Sequence, residues 1–122
     1  MIARITLVLS AMVVSAPALA EPWDCIFTVE CPLGADCREA GFEVQIIAAD
    51  HEGQLFASSI MGETPITRLT ARATLPASYA STGQAGLAEL LTVEPDQTAI
   101  MTVHFVDGAT SAVTYLGTCT AF

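Results

Sequence analysis

Hydrophobic positions along this chain recur with a period of two. Trp23, Cys25, Phe27, Val29 and Cys31 alternate with Asp24, Ile26, Thr28 and Glu30, which predicts a half-buried strand. Phe42, Val44, Ile46 and Ala48 alternate with Glu43 and Gln45 and run into the polar turn Asp50-His51-Glu52-Gly53. A weaker strand is expected over Gln54 to Met61, closed by a turn from Gly62 to Pro65. Leu69, Ala71, Ala73 and Leu75 then face one way and Arg68, Thr70 and Arg72 the other, until Pro76 stops the run.

Ala77 to Gly86, rich in Ser, Gly and Ala, reads as the longest loop. Leu87 to Val93 reads as a strand, or as one helical turn running into a strand, and Glu94-Pro95-Asp96-Gln97 as a turn. Thr98 to Val106 and Ala109 to Gly117 flank Asp107-Gly108, a dipeptide that supplies positive φ in a two-residue type I′ hairpin. Ala99, Met101, Val103 and Phe105 form the apolar face of the first of these. About six to eight short strands, with turns every eight to twelve residues or so and no long helix, predict an all-β domain. Sequential hairpins imply an antiparallel meander, either a small up-and-down barrel or a two-sheet sandwich. Both bury one face of each strand, so the pattern leaves that choice open.

Residues 1–20 break the alternation. Arg4 is a positive start, Ile5 to Val14 an apolar run, and Ala18-Leu19-Ala20 a small-residue site. Together they predict a secretory signal peptide cleaved between Ala20 and Glu21. The run is too short to cross ~30 Å of hydrocarbon. Glu21 to Asp24 separate the cleavage site from Cys25, which argues against a lipid anchor. The expected product is one β-domain over residues 21–122, periplasmic or secreted, with no membrane insertion after cleavage.

Charge narrows the partners. Without Arg4, the cations are Arg38, Arg68 and Arg72 against 13 carboxylates, a net charge of 3 − 13 = −10, and there is no lysine. A field of that sign repels nucleic acid and anionic lipid and favours a cationic protein. The same charge also keeps an exported protein soluble.

Three of the four cysteines lie in Trp23-Asp24-Cys25 to Cys37. Outside the cytoplasm an even set is most simply a disulfide framework. On one continuous strand, Cys25 and Cys31 stand about 20 Å apart at ~3.3 Å per residue, while a disulfide needs Cα atoms within about 7 Å. Of the two remaining pairings, Cys31–Cys37 with Cys25–Cys119 is preferred. Pro32 to Asp36 makes a tight loop, and Cys119 ends the last strand. In a barrel that strand lies beside the first. The chain-entropy model values the long loop at roughly 4 to 5 kcal/mol and the short one at roughly 2 kcal/mol. The spacing C-x5-C-x5-C suits neither a zinc site nor a dithiol redox centre.

Catalytic chemistry finds little purchase. His51 sits in a polar turn, where neighbouring side chains diverge rather than converge on a metal, and His104 shares the solvent-side parity of Thr102. Neither is placed beside a nucleophile, and no GxSxG, Walker or HExxH pattern occurs. No catalytic residue, metal or cofactor is expected. Arg68 and Arg72 form a candidate anion or carboxylate contact, or else neutralise acidic cross-strand neighbours. Tyr79, Ser81, Thr82 and Gln84 form a candidate binding loop, or a solvated connector.

The W-x-C start (Trp23 to Cys25) and the closing Thr114-Tyr115-Leu116-Gly117-Thr118-Cys119 resemble those of a group of small exported bacterial β-domain proteins. That resemblance implies a secreted β-domain and no activity. The chain also resembles the periplasmic inhibitors of C-type lysozyme, small eight-stranded barrels whose early aromatic-x-Cys strand is bonded to a C-terminal cysteine. Their inhibitory loop, a Ser and Gly followed by an aromatic, is not reproduced, since Ser81-Thr82-Gly83 is followed by Gln84. The Cys31 and Cys37 pair is a second departure. The expected function is non-catalytic binding outside the cytoplasm. Inhibition of a cationic hydrolase such as lysozyme, a minor hydrolase and a structural envelope component stand as alternatives.

Overall fold

The computed structural model describes residues 10, 21–81, 83 and 86–121. The expected leader, Ser10 apart, and Thr82 and Gln84 of the candidate loop lie outside the described residues. Eight strands follow in chain order: β1 (Trp23–Pro32), β2 (Arg38–Ile47), β3 (Leu55–Ser59), β4 (Gly62–Arg68), β5 (Ala77–Ser81), β6 (Leu87–Val93), β7 (Thr98–Phe105) and β8 (Ser111–Ala121). Each pairs antiparallel with the next, and β8 pairs with β1, so the meander closes into a barrel. Closure settles the choice between barrel and sandwich, and it leaves the sheet without a free edge.

Period-two alternation supplies the core. Trp23, Cys25 and Phe27 point inward from β1, Val44 and Ile46 from β2, Leu91 and Val93 from β6, and Ala99, Met101 and Val103 from β7. Their outward neighbours, among them Asp24, Glu43, Gln45, Thr92 and Thr102, meet solvent or lie half-exposed. Phe27, Phe42 and Tyr115 stack at one end of this core, with ring centroids 4.9 to 6.4 Å apart.

One irregularity reverses the parity of β1. Phe27 pairs with Gly117 and Val29 with Leu116, so Thr28 is an extra residue and β1 bulges there. Beyond the bulge Val29 and Cys31 turn to the outer face, against the simple alternation of the sequence, and Glu30 pairs with the core residue Tyr115. The bulge presses β1 onto β8. A Cβ at Gly117 would overlap the Ile26 carbonyl oxygen and lie 2.7 Å from the Phe27 Cα, which is why glycine stands there.

Four expectations are corrected. Gly62 to Pro65 is not a turn but the start of β4, and the hairpin turn is Ile60-Met61. Pro65 fits because β5 pairs with β4 only over Ile66 to Arg68, so its missing donor lies beside an unpaired margin. Leu69 to Leu75 is a loop rather than a strand, because of its alternating apolar residues only Leu75 packs against the core, while Leu69, Ala71 and Ala73 are exposed. Ala77 to Ser81, expected within a loop, is β5, with Ala77 and Tyr79 buried. Small residues hid its period. Finally, Phe105 pairs with Ser111, so Asp107-Gly108 sits in the longer connection 106–110 and only Gly108 of the two has positive φ.

The disulfides are those preferred from the sequence. Cys25–Cys119 joins register partners of the first and last strands, both fully buried, with Cα atoms 4.0 Å apart. It fastens the barrel at its closing seam. Cys31–Cys37, with Cα atoms 4.1 Å apart, clamps the β1–β2 connection. No cysteine is left as a thiol.

Candidate functional site

An up-and-down barrel sends its connections alternately to two ends. Glu21, the connections 48–54 and 69–76 and the turn 94–97 lie at one end. The connections 33–37, 60–61 and 106–110, with Gly86 just before β6, lie at the other.

The first end is organised around Arg68, the last residue of β4. Its Nη1 donates to Glu21 Oε1 at 2.9 Å and to Tyr79 Oη at 3.3 Å. Nη2 donates to the carbonyls of Ala71 and Thr74, and Nε to that of Thr70. All five guanidinium N–H donors are thereby engaged. Tyr79 donates its hydroxyl hydrogen to Glu21 at 2.6 Å and accepts from Trp23 Nε1 at 3.0 Å. The Arg68 and Glu21 side chains are 8% and 12% exposed.

The electrostatics follow from this packing. Burial alone would raise the Glu21 carboxyl, but hydrogen bonds from Tyr79, the backbone and Arg68 outweigh it and hold the group below its ordinary 4.5. Burial and the neighbouring Glu21 carboxylate push the Tyr79 hydroxyl far upward, so it stays a proton donor.

Arg68 and Arg72, proposed as anion contacts, do line one open cleft of about 630 Å³ with Glu21, Gln54, Thr67 and Thr70. They do not project from one strand face, since Arg72 lies in the 69–76 connection. Arg68 has no donor left for a ligand, and Arg72 is the exposed cation there. Arg68 therefore neutralises an acid, but that acid is Glu21 rather than a cross-strand neighbour. Of the candidate loop, Tyr79 is a core residue at 1% exposure, and Ser81 ends β5, where its Oγ accepts the Glu89 N–H at 2.8 Å. Its inward parity turns the Tyr79 ring into the barrel.

Inside the barrel a cavity of about 10 Å³ lies among Tyr79, Ser81, Glu89, Leu91 and Met101, room for about one water. Burial raises the Glu89 carboxyl above its ordinary value. This inward acid was missed in the sequence, although it shares the parity of Leu87, Leu91 and Val93. The Trp23–Tyr79 pair was also legible in principle, because buried indole and phenol groups require polar partners. His51 is exposed and stands 3.7 Å from Glu52, and His104 is exposed on the outer face of β7.

Among the described residues no helix is long and apolar enough to cross a membrane. No family model matches the chain, and no curated protein or solved structure matches it.

Proposed function

We propose that this is an exported, non-catalytic binding protein whose partner is a cationic macromolecule. The observation that carries the reading is a barrel filled by its own side chains, with room for about one water, in a chain with thirteen carboxylates against three arginines beyond the leader. A filled barrel has no lumen to carry a lipid or cofactor, so recognition belongs to the exterior. The two disulfides suit an oxidising compartment, and the leader supplies the route to it. On the outer face Ile26, Leu90, Ile100 and Leu116 are exposed but interrupted by Asp24, Glu43, Gln45, Thr92 and Thr102, unlike the continuous apolar band of a lipid-facing barrel.

Inhibition of a cationic hydrolase such as a C-type lysozyme is the narrower form. It draws support from an eight-stranded barrel in which the Trp23-Asp24-Cys25 strand is bonded to Cys119, the frame of the inhibitors that the sequence resembles. The test is lysis of bacterial cells by C-type lysozyme in low salt with the oxidised chain added at micromolar concentration. Loss of lytic activity is expected. Full lysis rejects the inhibitor form. Turnover in a screen of sugar and ester substrates would overturn the non-catalytic reading itself.

A further inference from the structure

The end of the barrel opposite Arg68 presents apolar side chains that neither burial nor turn chemistry explains. The tip of the β3–β4 hairpin is Ile60-Met61, 92% and 74% exposed. Register pairing of Ser59 with Gly62 makes this a two-residue connection, where Asn, Asp and Gly are the favoured residues. Leu33 in the β1–β2 connection is 62% exposed and Val106 in the β7–β8 connection 63%. Topology sends all three connections to one end.

Each tip stands beside an exposed carboxylate: Leu33 near Asp36, Met61 near Glu63, and Val106 next to Asp107. The cation of this end, Arg38, is ion-paired with Glu30. The tips are also held in place. Leu33 N donates to the Ala112 carbonyl at 2.9 Å, Val106 N to the Gly86 carbonyl at 2.7 Å, and Met61 N to Ser59 Oγ at 3.1 Å. The Cys31–Cys37 bond clamps the first of them. Ordering a loop before association removes a cost that binding otherwise bears.

We infer that these three tips form the docking surface for a cationic protein that offers an apolar cleft rimmed by lysine or arginine. This rests on the binding reading above and names the surface it left open. Charge selects the occupant. A second copy would bring like charge against like, and an anionic membrane would repel the carboxylates beside each tip. A basic rim meets Asp36, Glu63 and Asp107 while the cleft covers Leu33, Ile60, Met61 and Val106.

The test compares three forms of the oxidised chain: wild type, Ile60→Ser with Met61→Ser, and Leu69→Ser at the opposite end. The probes are C-type lysozyme, a synthetic lysine–leucine amphipathic peptide, and phosphatidylcholine vesicles. All three positions are strongly exposed, so the variants fold, and melting curves check this. The double variant is expected to weaken binding to lysozyme or the peptide by about tenfold or more, with Leu69→Ser close to wild type. Amide shifts on titration should concentrate at 33–36, 60–63 and 106–108. Wild-type affinity in the double variant, or loss in Leu69→Ser alone, overturns this surface and leaves the binding reading standing. Wild type binding neither cationic probe rejects both. Binding to vesicles alone overturns the choice of a protein occupant.

Discussion

Glu21 and Arg68 meet at 2.9 Å across 47 residues of chain, with both side chains nearly buried. The contact fastens the segment before β1 to the end of β4, and Tyr79 and Trp23 complete it from within the core. Removing one partner of a buried pair leaves the other charge stranded, at about 3 to 5 kcal/mol. Arg68→Ala should therefore destabilise by roughly that amount in urea unfolding. Arg68→Lys should recover little, because an ammonium with three donors cannot serve the acceptors that the guanidinium fork reaches.

The pH dependence of that pair has a definite sign. Glu21 is held below its ordinary 4.5, so its contribution is fully present above about 4.5 and is lost as pH falls through the lower folded-state value. The urea midpoints of wild type and Glu21→Gln should be well separated at neutral pH and converge on acidification. A constant separation would contradict the assignment.

Glu89 and Glu43 act in the opposite direction. Burial raises Glu89, and Glu43 is raised by the hydrogen bond that its protonated form donates to Asp24 and by the charge of the Asp24 carboxylate. Each binds its proton more tightly in the folded chain, so its contribution is present below about 4.5 and is lost as pH rises through the folded-state value. Glu89→Gln and Glu43→Gln should both raise the urea midpoint at neutral pH, with the gain vanishing in acid.

Gly117 marks where β1 and β8 are pressed together. Gly117→Ala must displace the backbone of Ile26 and Phe27, and overpacking of this kind costs about 1 to 3 kcal/mol or more. The thermal midpoint should fall clearly, whereas Gly53→Ala, where a Cβ meets nothing within 4 Å, is left with only the strain of its φ of 80°.

The two disulfides should separate in their effects. Replacing Cys31 and Cys37 by serine is expected to cost about 2 kcal/mol and leave the barrel folded, while the same change at Cys25 and Cys119 is expected to cost roughly 4 to 5 kcal/mol. Denaturant titration of the two double variants reads the difference.

Most of the fold was legible because barrel strands need one apolar face and this sequence writes it plainly. Trp23 to Phe27, Phe42 to Ile46 and Ala99 to Phe105 all obey the period. Reach excluded Cys25–Cys31, and the tight loop from Pro32 to Asp36 with the adjacency of first and last strands in a barrel favoured the pairing observed. Failures came where the period carries no information. Thr28 inserts one residue, and every position after it on β1 changes sides. Ala77 to Ser81 is built of residues too small to display a face. Leu69 to Leu75 alternates by chance, with only Leu75 against the core. Functional residues were harder still. Tyr79 was placed in a loop because its local composition is polar, yet its ring fills the barrel. Arg68 gathers acceptors from Glu21 to Tyr79, a spacing no local pattern encodes.

Salt-dependent association tests the central claim most directly. Calorimetric titration of the oxidised chain, beginning at Glu21, into C-type lysozyme and other cationic exported hydrolases should show binding at low ionic strength. That binding should weaken steeply as the screening length falls below about 10 Å. Heat that is absent for every cationic partner, or affinity indifferent to salt, would contradict it.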